Sequence, residues 1–301
     1  MTRLLLAIMM FLLLAPSARA KVEKETDAAA IPFGVIDQRL LKTAYVDGEQ
    51  MRYDVFWTGG VKIGELTLEI FRMKGIKPAT FRVKAVITTE NGAIHGIYPV
   101  RDVHLTTVSG PDRLPSRYEV EQKEGYNYQA SRLTRYNQQT GRIWYKKNAD
   151  PSITYWVEAP IHNEFSAFLG SRVMPFAVGE AFLVPTFADK RRNEVQVRVL
   201  DRQTLDDTIL GRVDTMQVTP ILEFKGLYDK NGDTVIWYTD DACRVPVRIN
   251  SKLKIGSLTL DLTGYRNASC PRYDGAVRVE EKKTVKAGEI PALPAGSRKD
   301  E

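Results

Sequence analysis

The sequence predicts a mainly β protein: a large curved antiparallel sheet or open barrel with one short internal helix. Three observations predict it. Apolar and polar residues alternate through many short runs, which is the period of a strand with one covered face. Gly, Asn and Pro clusters punctuate those runs. One stretch, "APIHNEFSAFLGSRVMPF", breaks the alternation and spaces its aromatics as a helix does.

The elements follow in order. Residues 1–20 read as a cleaved secretory signal. Arg3 is followed by the apolar run Leu4 to Leu14, and Ala18-Arg19-Ala20 supplies a small-x-small cleavage site. The run is too short to span a bilayer, so no transmembrane segment is expected in the mature chain. The small cleavage site and short run are of bacterial type and place the protein in a periplasm. Residues 21–49 form a leader of little periodicity, residues 50–273 a β-rich domain, and residues 274–301 a polar tail with too little apolar content to order itself.

Within the domain, Tyr53, Val55 and Trp57 alternate with polar neighbours, and Thr58-Gly59-Gly60 turns the chain. Leu66, Leu68 and Ile70 then share one side of a second strand, and Phe81, Val83, Ala85 and Ile87 mark a third. "SRYEVEQKEG" and "YNYQASRLTRYN" form a hairpin about Glu124-Gly125, and Thr140-Gly141 leads into Ile143–Tyr145. Asn163 caps a helix carrying Phe165, Phe168 and Leu169, with Gly170 as its stop. Val195, Val197 and Val199 form one further strand, and Val213 to Val218 another. "LYDKNGDTVIWYTD" is a hairpin with Asn231-Gly232 at its tip, and "PVRINSKL" with "SLTLDLTGYR" is the last hairpin.

Composition limits the function classes. The 43 basic residues, less Arg3 and Arg19 of the signal, stand against 37 acidic ones, leaving +4. The charges are interspersed, without the basic stripe that nucleic-acid binding requires, so no nucleic-acid partner is expected. Cys243 and Cys270 are a sparse even pair in an exported chain and read as one structural disulfide, which contributes roughly 3–4 kcal/mol in the chain-entropy model.

Catalytic patterns are missing. There is no Gly-x-Ser-x-Gly elbow, and His162-Asn163-Glu164 lacks the second histidine of a zinc-protease helix and reads as a helix start. His95 and His104 face each other across a hairpin in one reading; in the plainer one they are surface or turn histidines. Asp206-Asp207 and Asp240-Asp241 are adjacent pairs whose members point to opposite faces of a strand. Asp229, Asn231, Asp233 and Asp240 match calcium-loop positions, but Thr234 stands where such a loop needs Gly, and the Asn-Gly turn explains them. Trp57, Trp144, Trp156 and Trp237 are read as core, and Arg244 as support for the strand beginning at Pro246. No enzyme, metal or cofactor is expected.

The phrase Lys-Ile-Gly-x-Leu-Thr-Leu occurs twice, from Lys62 and from Lys254. Both copies put their leucines on one side and Glu, Thr, Ser or Asp on the other. Gly64 and Gly256 leave room on the apolar side for another element, and the helix is the candidate to lie there. The two strands are expected to serve one concave face. Its floor is Leu66, Leu68, Leu258 and Leu260, and Phe165 and Phe168 form a plug or lid.

Three segments carry a family resemblance. "YDVFWTGGVKIGELTLEI", "NEFSAFLGSRVMPFAVGEAFLVPTF" and "VIWYTDDACRVPVRINSKLKIGSLTLDLTGY" resemble, in order, the opening strands, central helix and closing segment of the bacterial exported family called domain of unknown function 3108. The resemblance runs from about Gln50 to Arg266. The strand-rich layout with an internal helix is similar at fold level to periplasmic lipoprotein carriers of the Lol type, whose curved sheet wraps helices around an apolar cavity. The expectation is a non-enzymatic periplasmic protein that binds a lipid, lipoprotein or glycolipid in an apolar groove, with a possible envelope protein partner. The alternative is an envelope polysaccharide-binding or scaffold module with a filled core.

Overall fold

A computed structural model of the chain describes residues 31–221, 234–253 and 256–278. The signal segment, the Asn231-Gly232 hairpin tip with Asp229 and Asp233 of the calcium-like set, Lys254 and Ile255 of the second repeat, and the tail from residue 279 lie outside the described residues.

The described chain forms fourteen strands and one helix. The strands are β1 (Gln50–Trp57), β2 (Val61–Met73), β3 (Thr80–Thr88), β4 (Val100–Ser109), β5 (Leu114–Glu124), β6 (Tyr128–Asn137), β7 (Arg142–Lys147) and β8 (Ile153–Trp156), followed after the helix by β9 (Ala181–Ala188), β10 (Arg191–Thr208), β11 (Gly211–Ile221), β12 (Thr234–Thr239), β13 (Pro246–Leu253) and β14 (Gly256–Arg266). The helix α1 spans Glu164–Ser171. All fourteen strands belong to one antiparallel sheet in the order β8-β7-β6-β5-β4-β3-β2-β1-β14-β13-β12-β11-β10-β9. Two meanders therefore meet where β1 pairs with β14. Strands β4, β8 and β9 were not legible as alternating runs.

The sheet curls without closing. Phe187 on edge strand β9 reaches Tyr136 of β6 and Tyr155 of β8, with ring centroids 6.3 and 5.4 Å apart. The segment between β8 and α1 spans the remaining gap. His162 N–H donates to Pro185 O and Phe187 N–H to His162 O, at 2.7 and 2.8 Å. On the other side, the Gln138 side chain accepts from Ile161 N–H and donates to Ile161 O. The leader occupies more of the β9 edge, where Leu183 N–H donates to Pro32 O and Gly34 N–H to Leu183 O. Covering an edge in this way removes a template for intermolecular strand pairing. Beyond the expected boundary at 273, Tyr265 N–H still donates to Ala276 O and Arg278 N–H to Thr263 O.

The two look-alike strands flank β1. Tyr53 pairs with Leu66 on one side and Leu262 on the other, and Val55 pairs with Gly64 and Leu260. Residues directly opposite in an antiparallel pair share a face, so the leucines of both copies meet the inward side chains of one strand. The glycines, however, admit something other than the helix. A Cβ on Gly64 would lie 2.4 Å from Thr88 O, and one on Gly256 would lie 2.4 Å from Thr58 Oγ1 and 3.1 Å from the Trp57 ring.

The helix is interior, as the spacing of its aromatics predicts, but it rests mainly on β9 and β4 rather than on β2 and β14. Its start is a reciprocal cap: Asn163 Oδ1 accepts from Ser166 N–H, and Ser166 Oγ accepts from Asn163 N–H, both at 2.9 Å. Asn163 Nδ2 also donates to Thr106 Oγ1 on β4. The helix runs through Gly170 to Ser171, with Arg172 as C-cap. Replacing Asn163 by Ala is expected to lower stability by about 1–2 kcal/mol, because it frees one helix N–H and one β4 hydroxyl. Urea unfolding measures this, and a loss below about 0.3 kcal/mol would show that the cap does not matter.

Candidate functional site

Cross-strand pairing rows show what faces the interior. One row reads Leu262, Tyr53, Leu66, Ile87, Asp102, Gln122, Ala130 from β14 to β6. The next reads Met51, Leu68, Ala85, His104, Val120, Arg132, Lys147 from β1 to β7. A third reads Ile70, Val83, Thr106, Tyr118, Thr134, Tyr145. Each row is apolar as far as β3 and turns polar at β4. The concave face thus has an apolar wall and a polar wall.

The polar wall is buried. Asp102, His104, Thr106, Gln122, Glu124 and Thr134 are each at most 6% exposed. Their partners are largely one another. Gln122 Nε2 donates to Asp102 Oδ2 at 3.3 Å and to Glu124 Oε1 at 3.1 Å, while Lys123 N–H donates to Asp102 Oδ1 at 3.1 Å. Arg132 Nη2 donates to Gln122 Oε1. Burial raises the Asp102 carboxyl above its ordinary range. Burial, and then the charge of Asp102, push Glu124 up to about 8. Two carboxyls in so dry a place share a proton more readily than they both ionise.

Deeper along β4, His104 Nδ1 lies 2.7 Å from the Tyr118 hydroxyl, and its ring is 5.0 Å from that of Phe165 on α1. Burial lowers His104 to about 3, so the ring is neutral at physiological pH. Its Nε2 is buried without a hydrogen-bond partner among the described residues, as is Glu164 Oε2 at the helix start. Burial pushes Glu164 up to about 7. An unpaired buried polar atom costs about 1–3 kcal/mol, so two such atoms near one helix end are a feature to account for.

The apolar wall is not sealed everywhere. Leu260 and Ile249 pair in mid-strand and face inward beside Val55, yet both are only partly buried. Trp57 is half-buried at the end of β1.

The predicted groove residues divide accordingly. Leu66, Leu68, Leu258 and Phe165 are all at most 5% exposed and join one apolar core, against which Leu260 and Phe168 lie half-buried. Phe165 meets His104 and Tyr118 instead of the leucine strands. His95 and His104 do not face each other: His104 is buried in mid-strand, whereas His95 sits in the β3–β4 loop with Nδ1 3.3 Å from Thr89 Oγ1. The adjacent acids act separately, Asp206 with Arg212, Asp207 with Arg248 and Asp240 with Arg202. Trp156 is 68% exposed rather than core; Trp144 lies under the Arg135 guanidinium, and Trp237 Nε1–H donates to Gln203. Cys243 and Cys270 form a disulfide with Cα atoms 5.9 Å apart. Arg244 places its guanidinium 4.3 Å from the Phe176 ring centre, and its carbonyl accepts from Arg172 Nε.

The polar wall was missed because β4 is inverted. Asp102, His104 and Thr106 point in, while Val103 and Leu105 point out. A rule that buries the apolar set assigns that strand the wrong face or no strand at all. The available signal was the run of polar inward positions Gln122 and Glu124 on the better-read β5.

Among the described residues no three of His, Cys, Asp or Glu converge as a metal set, and no helix is long and apolar enough to cross a membrane. No curated protein matches the chain. A solved structure, the β-barrel-like protein of domain of unknown function DUF1849 from Brucella abortus, is similar at a TM-score of 0.48 and 9% identity, over 79% of this chain and 99% of that one. The model of the family described as "Protein of unknown function (DUF3108)" matches residues 52–263, and the chain belongs to that family.

Proposed function

We propose that this protein binds an amphipathic component of the bacterial envelope, a lipid, lipoprotein or glycolipid, on its concave face, and that it does so in the periplasm without catalysing a reaction. The observation that carries the reading is the change from apolar to polar at β4 along the three central inward rows, at Asp102, His104 and Thr106. An acyl chain has a place along Leu260 and Ile249, where each buried methylene contributes about 0.8 kcal/mol. The polar end of the ligand then faces the wall of Asp102, Glu124 and Arg132, where hydrogen-bonding groups are already fixed in position. The unpaired His104 Nε2 and Glu164 Oε2 fit a site that completes its hydrogen bonds with a ligand. The disulfide and the signal-like first twenty residues favour an oxidising compartment.

The test uses an environment-sensitive fluorescent fatty acid with the full mature chain. Saturable binding is expected, and Leu260→Glu is expected to weaken it at least tenfold while the far-ultraviolet circular dichroism is unchanged. Native mass spectrometry of gently purified protein is expected to show a co-purified lipid mass. A clean apo mass together with no probe binding would overturn the proposal.

A further inference from the structure

The outer face of the same strand ends carries a different arrangement. The pairing row Thr88, Arg101, Lys123, Gln129 crosses β3 to β6. Its two central members are cations placed directly opposite one another, and both are exposed. Side chains so placed have Cβ atoms about 4.5–5.5 Å apart, and like charges there repel. Among the described residues, neither side chain has an acidic partner within ion-pair distance. The flanking acids are engaged elsewhere: Asp102 and Glu124 face inward, and Glu121 accepts from Ser131 Oγ.

This pair lies in a pocket of about 380 Å³ between the β3–β4 loop and the β5–β6 turn. Tyr126, His95 and Glu90 belong to its lining, and Tyr128 borders it at the strand end, paired with inward-facing Glu124. The walls are held in place. Tyr126 is 73% exposed, yet its hydroxyl donates to Gly96 O across the mouth at 2.8 Å. Gly125 N–H donates to Pro99 O, and Val100 N–H to Thr89 Oγ1, both at 2.8 Å. Gly92 anchors the loop against β2, where a Cβ would lie 2.1 Å from Ile63 O. The sheet fixes the two cations, and the hydroxyl bond to Gly96 O fixes Tyr126.

We propose that this pocket is a second binding site, separate from the concave face, for a negatively charged saccharide. The anionic substituent sits between Arg101 and Lys123 and removes their mutual repulsion. The sugar ring lies against Tyr126, whose face offers apolar contact with a polar edge. Glu90 and Gln129 are placed to bond hydroxyls. The volume falls at the small end of ordinary ligand pockets and fits one or two sugar rings. The shared requirement is an anion on a sugar; a carboxylate and a phosphate both meet it.

Calorimetric titration of the full mature chain with glucuronic acid, glucose 6-phosphate, glucose and inorganic phosphate tests this. At least one acidic sugar is expected to bind with a Kd in the millimolar range or tighter, and its identity distinguishes carboxylate from phosphate recognition. Glucose alone and phosphate alone are expected to bind at least tenfold more weakly. Raising the salt weakens the acidic sugar, since the cations are exposed. The double variant Arg101→Ala, Lys123→Ala, which changes only exposed side chains, is expected to lose at least tenfold, and Tyr126→Ala to lose affinity at unchanged salt dependence. Equal binding of glucose, equal binding of phosphate alone, an unaffected double variant, or no binding of either acidic sugar at about 10 mM each overturns the proposal.

Discussion

Replacing Arg172 by Met is expected to cost about 3–5 kcal/mol of stability, the largest effect of any single change considered. Arg172 and Glu49 form an ion pair at 2.9 Å with both side chains fully buried. Arg172 Nη2 also donates to Cys243 O, and Nε to Arg244 O, each at 2.9 Å. Glu49 in turn accepts from Tyr265 Oη–H, Asn267 Nδ2 and Tyr45 N–H. One buried network therefore ties together the leader, the residue just before β1, the helix C-cap, the disulfide loop and the end of β14. Removing the guanidinium leaves a carboxylate desolvated beside donors that offset only part of its burial. The double variant Arg172→Met, Glu49→Gln is expected to recover part of the loss, because it removes the orphaned charge. Urea unfolding at pH 7 measures both. A single-variant loss below about 1 kcal/mol would show that the network does not hold these segments together.

Between pH 6.5 and 9, wild-type stability is expected to fall by about 2–3 kcal/mol, and Glu124→Gln is expected to abolish most of that fall. The sign follows from the direction of the shift. Glu124 is raised to about 8 in the folded chain, from an ordinary value of 4.5. Over the interval between those values the folded state holds a proton that the unfolded state has released. Stability is therefore lost as pH rises through that window and is level above it. Glu164, raised to about 7, acts in the same sense with a smaller share above pH 6.5. His104 and His162 are lowered by burial to about 3 and about 4, so their effect is a loss of stability as pH falls below 6.5, outside the chosen range. Urea midpoints at pH 6.5, 7.5 and 9 measure the slope. Parallel wild-type and variant profiles would show that burial does not raise Glu124 into this range.

Neither of these two sites was announced by the sequence. Glu49 and Arg172 lie in segments without alternation, the leader and the end of the helix, and nothing in their spacing marks them as partners. Their pairing depends on the barrel end bringing together segments 123 positions apart. The carboxyl pair depends on register: Asp102 pairs with Gln122 and Val100 with Glu124, so the acids come together only once β4 and β5 are aligned. The helix, by contrast, was announced locally. Asn163 and Ser166 satisfy each other within four residues, and the apolar spacing of Phe165 and Leu169 buries one side.

What the sequence by itself determined is everything set by short range: strand after strand by period two, the turns, the helix start, and the face shared by the two repeated leucine strands. Tertiary structure alone decided which wall the helix leans on, that β4 turns its polar side inward, and that Arg101 and Lys123 stand opposite each other outside. The physical reason is that alternation fixes only which residues of a strand share a side. Which side meets the interior, and what stands beside it, is set by hydrogen-bond register between strands far apart in the chain.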